Sequence, residues 1–186
     1  MTDSETVGEA IYSAQAIQQA VERLASKIAA DYTRQPLLLL GVLKGALCFT
    51  VDLARAIAGK ADGPSEIMVD YIVVERYGTL GTSGGSERLV MDCALDLAGK
   101  NVLILEDIVD NGRTLAFVRT LLKERRPASL RGCALFDRPG RREVDAAIDY
   151  AGLKVPEVFT VGYGLDHKEL YRNLPHLAEL REGKTV

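Results

Sequence analysis

The sequence predicts an α/β fold in which a mainly parallel sheet is flanked by helices. Three observations lead there. Two short, continuous aliphatic runs, "PLLLLGVL" and "NVLILED", have the composition of strands buried on both faces. Each is followed within a few residues by a segment with helical apolar spacing. Strand and helix signals keep alternating along the chain, the order that yields a parallel sheet covered on both sides. The 186 residues, 47% hydrophobic and 26% charged, suit one domain with one core spanning 1–186.

Taken in order, residues 1 to about 10, "MTDSETVGEA", are acidic and polar and read as a frayed end, unlike a secretion signal. "SAQAIQQAVERLASKIAADY" places Ile17, Val21, Leu24 and Ile28 on one helical face, with Ser13 as N-cap. "PLLLLGVL" is a core strand, and "LKGAL" turns into the helix "CFTVDLARAIA". "SEIMVDYIVV" is a second strand. "ERYGTLGTSGGSER" has several glycines, small polar residues and no apolar period, which predicts a long mobile loop over 75–85. "NVLILED" and "TLAFVRTLLKERR" are the next strand and helix, the latter stopped by Pro127. "SLRGCALFD" is a strand that leads into the basic loop "RPGRR". The tail mixes strand and turn signals. No repeat or linker divides the chain.

Composition excludes several classes. A net charge of −3 and a pI near 5.5 argue against a general nucleic-acid binder. No apolar stretch is long enough to span a bilayer, so no membrane partner is expected. Cys48, Cys93 and Cys133 are too widely spaced for a metal site and too few to pair completely. Each has apolar neighbours, which predicts buried, reduced thiols and a cytoplasmic protein.

Three segments fall at strand carboxyl ends, where parallel sheets bind ligands: "LKGAL", "EDIVDNGRT" and "DRPGRR". In the middle one, "DNGRT" offers consecutive backbone N–H groups at a helix start, an anion nest suited to a phosphate. A D-N-G segment by itself is a turn and nothing more. Glu106 and Asp107 just before it change that reading, because they are hard oxygen ligands for Mg²⁺ or acceptors for sugar hydroxyls. A sugar phosphate bound with a metal fits both halves. The "GxxxxGK[ST]" and "GxGxxG" loops of two other phosphate-binding folds are missing.

"VLILEDIVDNGRTL" resembles the phosphoribosyl-pyrophosphate (PRPP) signature of the type I phosphoribosyltransferases. "GVLKGALCF", "LFDRPGRR", "VFTVGYGLD" and "YRNLP" follow in an order similar to that of hypoxanthine–guanine members, over about Leu37 to Leu180. The resemblance implies a small hood, formed by the N- and C-terminal segments, over the base site. It implies purine salvage: transfer of phosphoribosyl from PRPP to hypoxanthine or guanine, giving IMP or GMP and pyrophosphate. Alternatives are a phosphoribosyltransferase for xanthine or another base, and a PRPP-sensing regulator of the same fold.

By resemblance, Glu106 and Asp107 contact the ribose hydroxyls and, with Asp166, hold Mg²⁺. Asp110 is the general base that takes the proton from purine N7. Asp110, Asn111, Gly112, Arg113 and Thr114 hold the 5′-phosphate. Lys44, Gly45 and Arg172 meet pyrophosphate, and the Leu43–Lys44 peptide is cis in many relatives. Phe159 stacks on the purine, Thr160 reads its edge, and Asp166 lies near its 2-position. Tyr77 closes over PRPP. Two departures stand out. Arg138 replaces a lysine that donates to the 6-oxo group, and its fork suits O6 and N7 together, with Arg141 or Arg142 able to share the task. Arg76 replaces a serine and adds a charge toward pyrophosphate. A homodimer or homotetramer is implied.

Overall fold

The computed structural model describes residues 5–77 and 86–181. The main sheet has six strands in the order β4-β3-β2-β5-β6-β7. They are β2 (Pro36–Leu43), β3 (Glu66–Tyr77), β4 (Ser86–Met91), β5 (Asn101–Val109), β6 (Ser129–Asp137) and β7 (Tyr150–Lys154). All neighbours run parallel except β4, which returns antiparallel along β3.

The aliphatic runs behave as their composition requires. Leu37 to Leu40 are all fully buried, and so are Val102 to Leu105. Successive residues feed opposite faces. Leu37, Leu39, Leu103 and Leu105 pack with Ile17, Leu24, Ile28, Phe49 and Leu53 of α1 (Ala14–Asp31) and α2 (Leu47–Ala58). Leu38, Leu40, Val102 and Ile104 pack with Leu115, Val118 and Leu122 of α3 (Arg113–Lys123). Helices thus cover both faces, and Ser13 caps α1 by accepting from the Ala16 amide at 3.2 Å.

Two expectations are corrected. The N-terminus is not frayed as far as residue 10: β1 (Thr6–Tyr12) pairs with β9 (Leu177–Arg181). With β8 (Thr160–Val161) they form a second sheet, ordered β1-β9-β8. Most of β1 is exposed, so it carries no apolar pattern, and its partner lies at the far end of the chain. The expected loop over 75–85 is also narrower. Glu75, Arg76 and Tyr77 extend β3 and face Arg88, Glu87 and Ser86 of β4. Pairing at a sheet edge satisfies the backbone without burying side chains, so polar residues extend the strand unannounced. Residues 78–85 lie outside the described residues. Among the described residues no helix is long and apolar enough to cross a membrane.

Candidate functional site

β2, β5 and β6 run parallel and end on one edge, and the tail folds over that edge. β2 ends in the cis Leu43–Lys44 peptide, followed by Gly45. A Cβ on Gly45 would lie 1.8 Å from Asp107 Oδ2, and one on Gly164 (φ +102°) would lie 2.0 Å from the Gly45 carbonyl oxygen. The loop after β2 therefore meets the tail backbone to backbone and lies directly against the Asp107 side chain of β5, and both positions favour glycine.

Between the strand ends and the tail lies a cleft of about 230 Å³. Asp107, Ile108, Asp110, Arg138, Arg141, Phe159, Thr160, Leu165 and Asp166 line it. A groove of about 440 Å³ between α1, α2 and the tail is larger, but no residue of the strand ends lines it. Carboxylates, a buried guanidinium and an exposed aromatic converge in the smaller cleft.

The turn after β5 has the geometry expected of an anion nest. Gly112 takes φ +84°, and a Cβ there would meet Ala146 and Arg142 at 2.9 Å. Asn111 Oδ1 accepts from the Arg113 amide at 3.0 Å, and the Asn111 carbonyl accepts from the amides of Glu143 and Val144. α3 starts at Arg113, whose N–H is held by Asn111, and the next first-turn N–H groups, of Thr114 and Leu115, face no side-chain cap and are open to an anion. The Arg113 guanidinium is engaged as well, 2.7 Å from Glu143.

Arg138 departs from expectation. It is 5% exposed and holds four partners. Its Nε donates to the Pro156 carbonyl at 3.1 Å and its Nη1 to Asp110 Oδ2 at 3.2 Å. Its Nη2 donates to the Val158 carbonyl and to Thr160 Oγ1, each at 2.9 Å. Of five guanidinium hydrogens one, on Nη1, is left, so the fork is not free to take O6 and N7 together. Two carbonyls of the folded-over tail, those of Pro156 and Val158, take part of its donor set. Arg142 is engaged as well, with the Asp110 carbonyl and the Asp137 carboxylate. Arg141 is half exposed, with Nη1 4.0 Å from Asp110 Oδ2. With Oδ2 held, Asp110 Oδ1 is buried and has no partner.

Glu106 and Asp107, within the last four residues of β5, leave the strand on opposite faces, as neighbours in a strand must. Glu106 is 4% exposed with Oε1 unpartnered, and burial pushes its carboxyl well above the usual range. Asp107 reaches the cleft, and burial raises its carboxyl to about 6 despite a hydrogen bond from the Ile108 amide. The structure thus does not gather the expected metal set of Glu106, Asp107 and Asp166. Among the described residues no group of three or more His, Cys, Asp or Glu side chains converges. Asp107 and Asp166 face the cleft together, and Glu106 does not line it.

The tail carries the remaining residues. Phe159 is 49% exposed and is no core residue; His167 meets its ring edge-to-face at 5.3 Å. Thr160 is buried at the start of β8. Arg172 donates to the Gly164 carbonyl at 2.8 Å and pairs with Asp166 at 2.7 Å. Lys44 is exposed and meets Glu169 at 3.0 Å. Arg76 is exposed on β3, and the Tyr77 side chain lies outside the described residues. Ile108, Leu165, His167 and Glu169 escaped the sequence reading. For Glu169 a signal existed, the three-residue spacing Asp166, Glu169, Arg172.

The chain is similar to known proteins over most of its length. Residues 7–168 match the phosphoribosyl transferase domain family. The chain is 36% identical over 176 residues to a hypoxanthine-guanine phosphoribosyltransferase of Streptococcus agalactiae, covering 95% of this chain and 94% of that one. A Bacillus anthracis structure of a hypoxanthine-guanine phosphoribosyltransferase superposes with a TM-score of 0.85 at 34% identity, covering 96% and 99% of the two chains. A hypoxanthine phosphoribosyl transferase of Trypanosoma cruzi gives 0.87 at 34% identity, over 97% and 95%.

Proposed function

This chain belongs to the phosphoribosyltransferase family, and from that premise we infer that it is a purine-salvage enzyme. It transfers the phosphoribosyl group of PRPP to hypoxanthine or guanine and releases pyrophosphate. The observation that carries the reading is the cleft itself, in which an unpartnered Asp110 oxygen and an exposed Phe159 ring meet, with the turn before α3 following Asp110 directly in the chain. We take the chain as one phosphoribosyltransferase domain, with β1, β8 and β9 as the hood.

Phe159 stacks on the purine, which its exposed face leaves room for. Thr160 lies at the purine edge. The remaining Nη1 hydrogen of Arg138, helped by exposed Arg141, donates to a 6-oxo group. Asp110 Oδ1 takes the N7 proton as N9 attacks C1 of the ribose. The 5′-phosphate occupies the turn from Asp110 to Thr114, on the N–H groups of Asn111, Gly112 and Thr114, while Asn111 Oδ1 holds that of Arg113. Lys44, the Gly45 backbone and Arg172 meet the departing pyrophosphate. Glu106 does not line the cleft, so the ribose hydroxyls assigned to both acids by resemblance fall to Asp107. Positive charge grows on the ribose in such a displacement, and Asp107 beside it favours that charge. Closure over PRPP falls by resemblance to Tyr77, whose side chain lies outside the described residues.

The donor set also bears on a metal. Two cleft carboxylates without a full protein cage suit Mg²⁺, which takes one or two carboxylates and completes its shell from substrate phosphates. Asp107 and Asp166 would hold it, and bound there it would neutralise charge on the pyrophosphate. Three unpaired cysteines fit a reducing compartment, and we place the enzyme in the cytoplasm as a homodimer or homotetramer.

An absorbance assay with PRPP and Mg²⁺ tests the reading, with hypoxanthine, guanine, xanthine and adenine in parallel. Turnover of hypoxanthine or guanine, abolished by EDTA, is expected. Turnover of xanthine alone would move the assignment to another base. PRPP binding without turnover of any base would make the protein a sensor.

A further inference from the structure

Lys44 and Arg172, assigned above to pyrophosphate, already share an anion. Glu169 Oε2 lies 3.0 Å from Lys44 Nζ and 3.4 Å from Arg172 Nη2. One carboxylate oxygen therefore bridges the loop after β2 and the tail turn. The backbone aims it there: Glu169 sits at φ +65°, between Lys168 at +51° and Tyr171 at +76°, and its amide donates to Asp166 Oδ2 at 2.9 Å. Consecutive non-glycine residues in the left-handed region are uncommon. Lys44 and Glu169 are both 64% exposed, which makes the pair weak enough for a competing anion to displace.

We propose that Glu169 sets the affinity of the site for pyrophosphate-bearing ligands. Its carboxylate occupies, in the free enzyme, the position of one pyrophosphate oxygen on Lys44 and Arg172, and it swings away when that group binds. The proposal rests on the assignment of those two cations to pyrophosphate. Its consequence is that the enzyme holds PRPP and pyrophosphate less tightly than its cations permit, and returning Glu169 to them hastens product release. A ligand without pyrophosphate does not feel the residue.

Calorimetric titration of the full-length wild type and Glu169→Gln tests this with three probes: magnesium pyrophosphate, PRPP with Mg²⁺, and IMP. The first two should bind the variant about two- to fivefold more tightly, the scale of an exposed ion pair. IMP should bind as before. Glu169→Gly removes the carboxylate and suits the positive φ, and should move affinity the same way. Unchanged or weaker pyrophosphate binding in both variants overturns the proposal, as does altered IMP binding. Lys44→Met separates the two layers. Weakened pyrophosphate binding there supports the cation assignment independently of Glu169, and unchanged binding removes the assignment and the proposal together.

Discussion

Single side chains in the cleft carry opposed demands of stability and chemistry. Asp110 is held through Oδ2 by Arg138, while Oδ1 stays bare. Asp110→Asn keeps the shape and loses the proton acceptor, so kcat should fall on the order of 10²-fold while PRPP still binds. Steady-state kinetics alongside PRPP calorimetry check this, and near-normal turnover would reject the base assignment. Asp107 makes the opposed demands visible as pH dependence. Its carboxyl is raised by burial from 3.8 to about 6. Across that window the folded protein keeps a proton that the unfolded chain has released, so this residue's contribution to stability declines as pH rises. Asp107→Asn should therefore stabilise the free protein by about 1–3 kcal/mol at pH 8, with a smaller gain at pH 4.5. Urea unfolding at the two pH values measures it, and equal stability of variant and wild type at pH 8 would refute it. The same substitution should lose turnover, a stability–activity trade-off.

Among the elements, the contact between the loop after β2 and the tail decides whether a site exists. Gly164 lets the tail backbone rest on the Gly45 carbonyl. In Gly164→Ala the new Cβ meets an oxygen 2.0 Å away, in a backbone region that alanine avoids. Neither side of this contact is a side chain, so nothing can rotate aside. We expect kcat/KM for PRPP to drop at least about tenfold, with Tm lowered as well. Kinetics and a thermal melt report the two effects. A Gly164→Ala enzyme with unchanged kcat/KM would mean that the tail does not position the loop. The elements also mark how far patterning was legible. β2 and β5 announced themselves because both faces are buried. β1 did not, because its residues are mostly exposed and only its backbone is engaged.

At the scale of the molecule, two sheets have to hold one cleft. β1, β9 and β8 form their own sheet, and Arg138 ties it to the six-stranded one through Pro156, Val158, Thr160 and Asp110. Arg138→Met strips four hydrogen bonds from a buried site and leaves Asp110 and two carbonyls wanting partners. A loss of about 2–4 kcal/mol is expected. Hydrogen exchange should show the loss unevenly. Amides of β8 and β9 should exchange faster while those of β2 and β5 stay protected. Uniform acceleration would mean that Arg138 supports the whole core and does not join two parts.

The sequence by itself determined the central strands of the sheet, the helices on both its faces, the glycine turn proposed to hold phosphate and the acids placed before it. Those features depend on burial periodicity and on local turn chemistry, both of which are written in neighbouring residues. Tertiary structure alone decided what Arg138 does. A guanidinium in "RPGRR" reads as free until a tail some 20 residues on brings carbonyls to it. Tertiary structure also set Glu106 and Asp107 to different tasks, exposed Phe159, paired β1 with β9 and put Glu169 on the two cations. Each of these is a contact between segments distant in sequence, and no local pattern encodes which distant partner will occupy a hydrogen bond first.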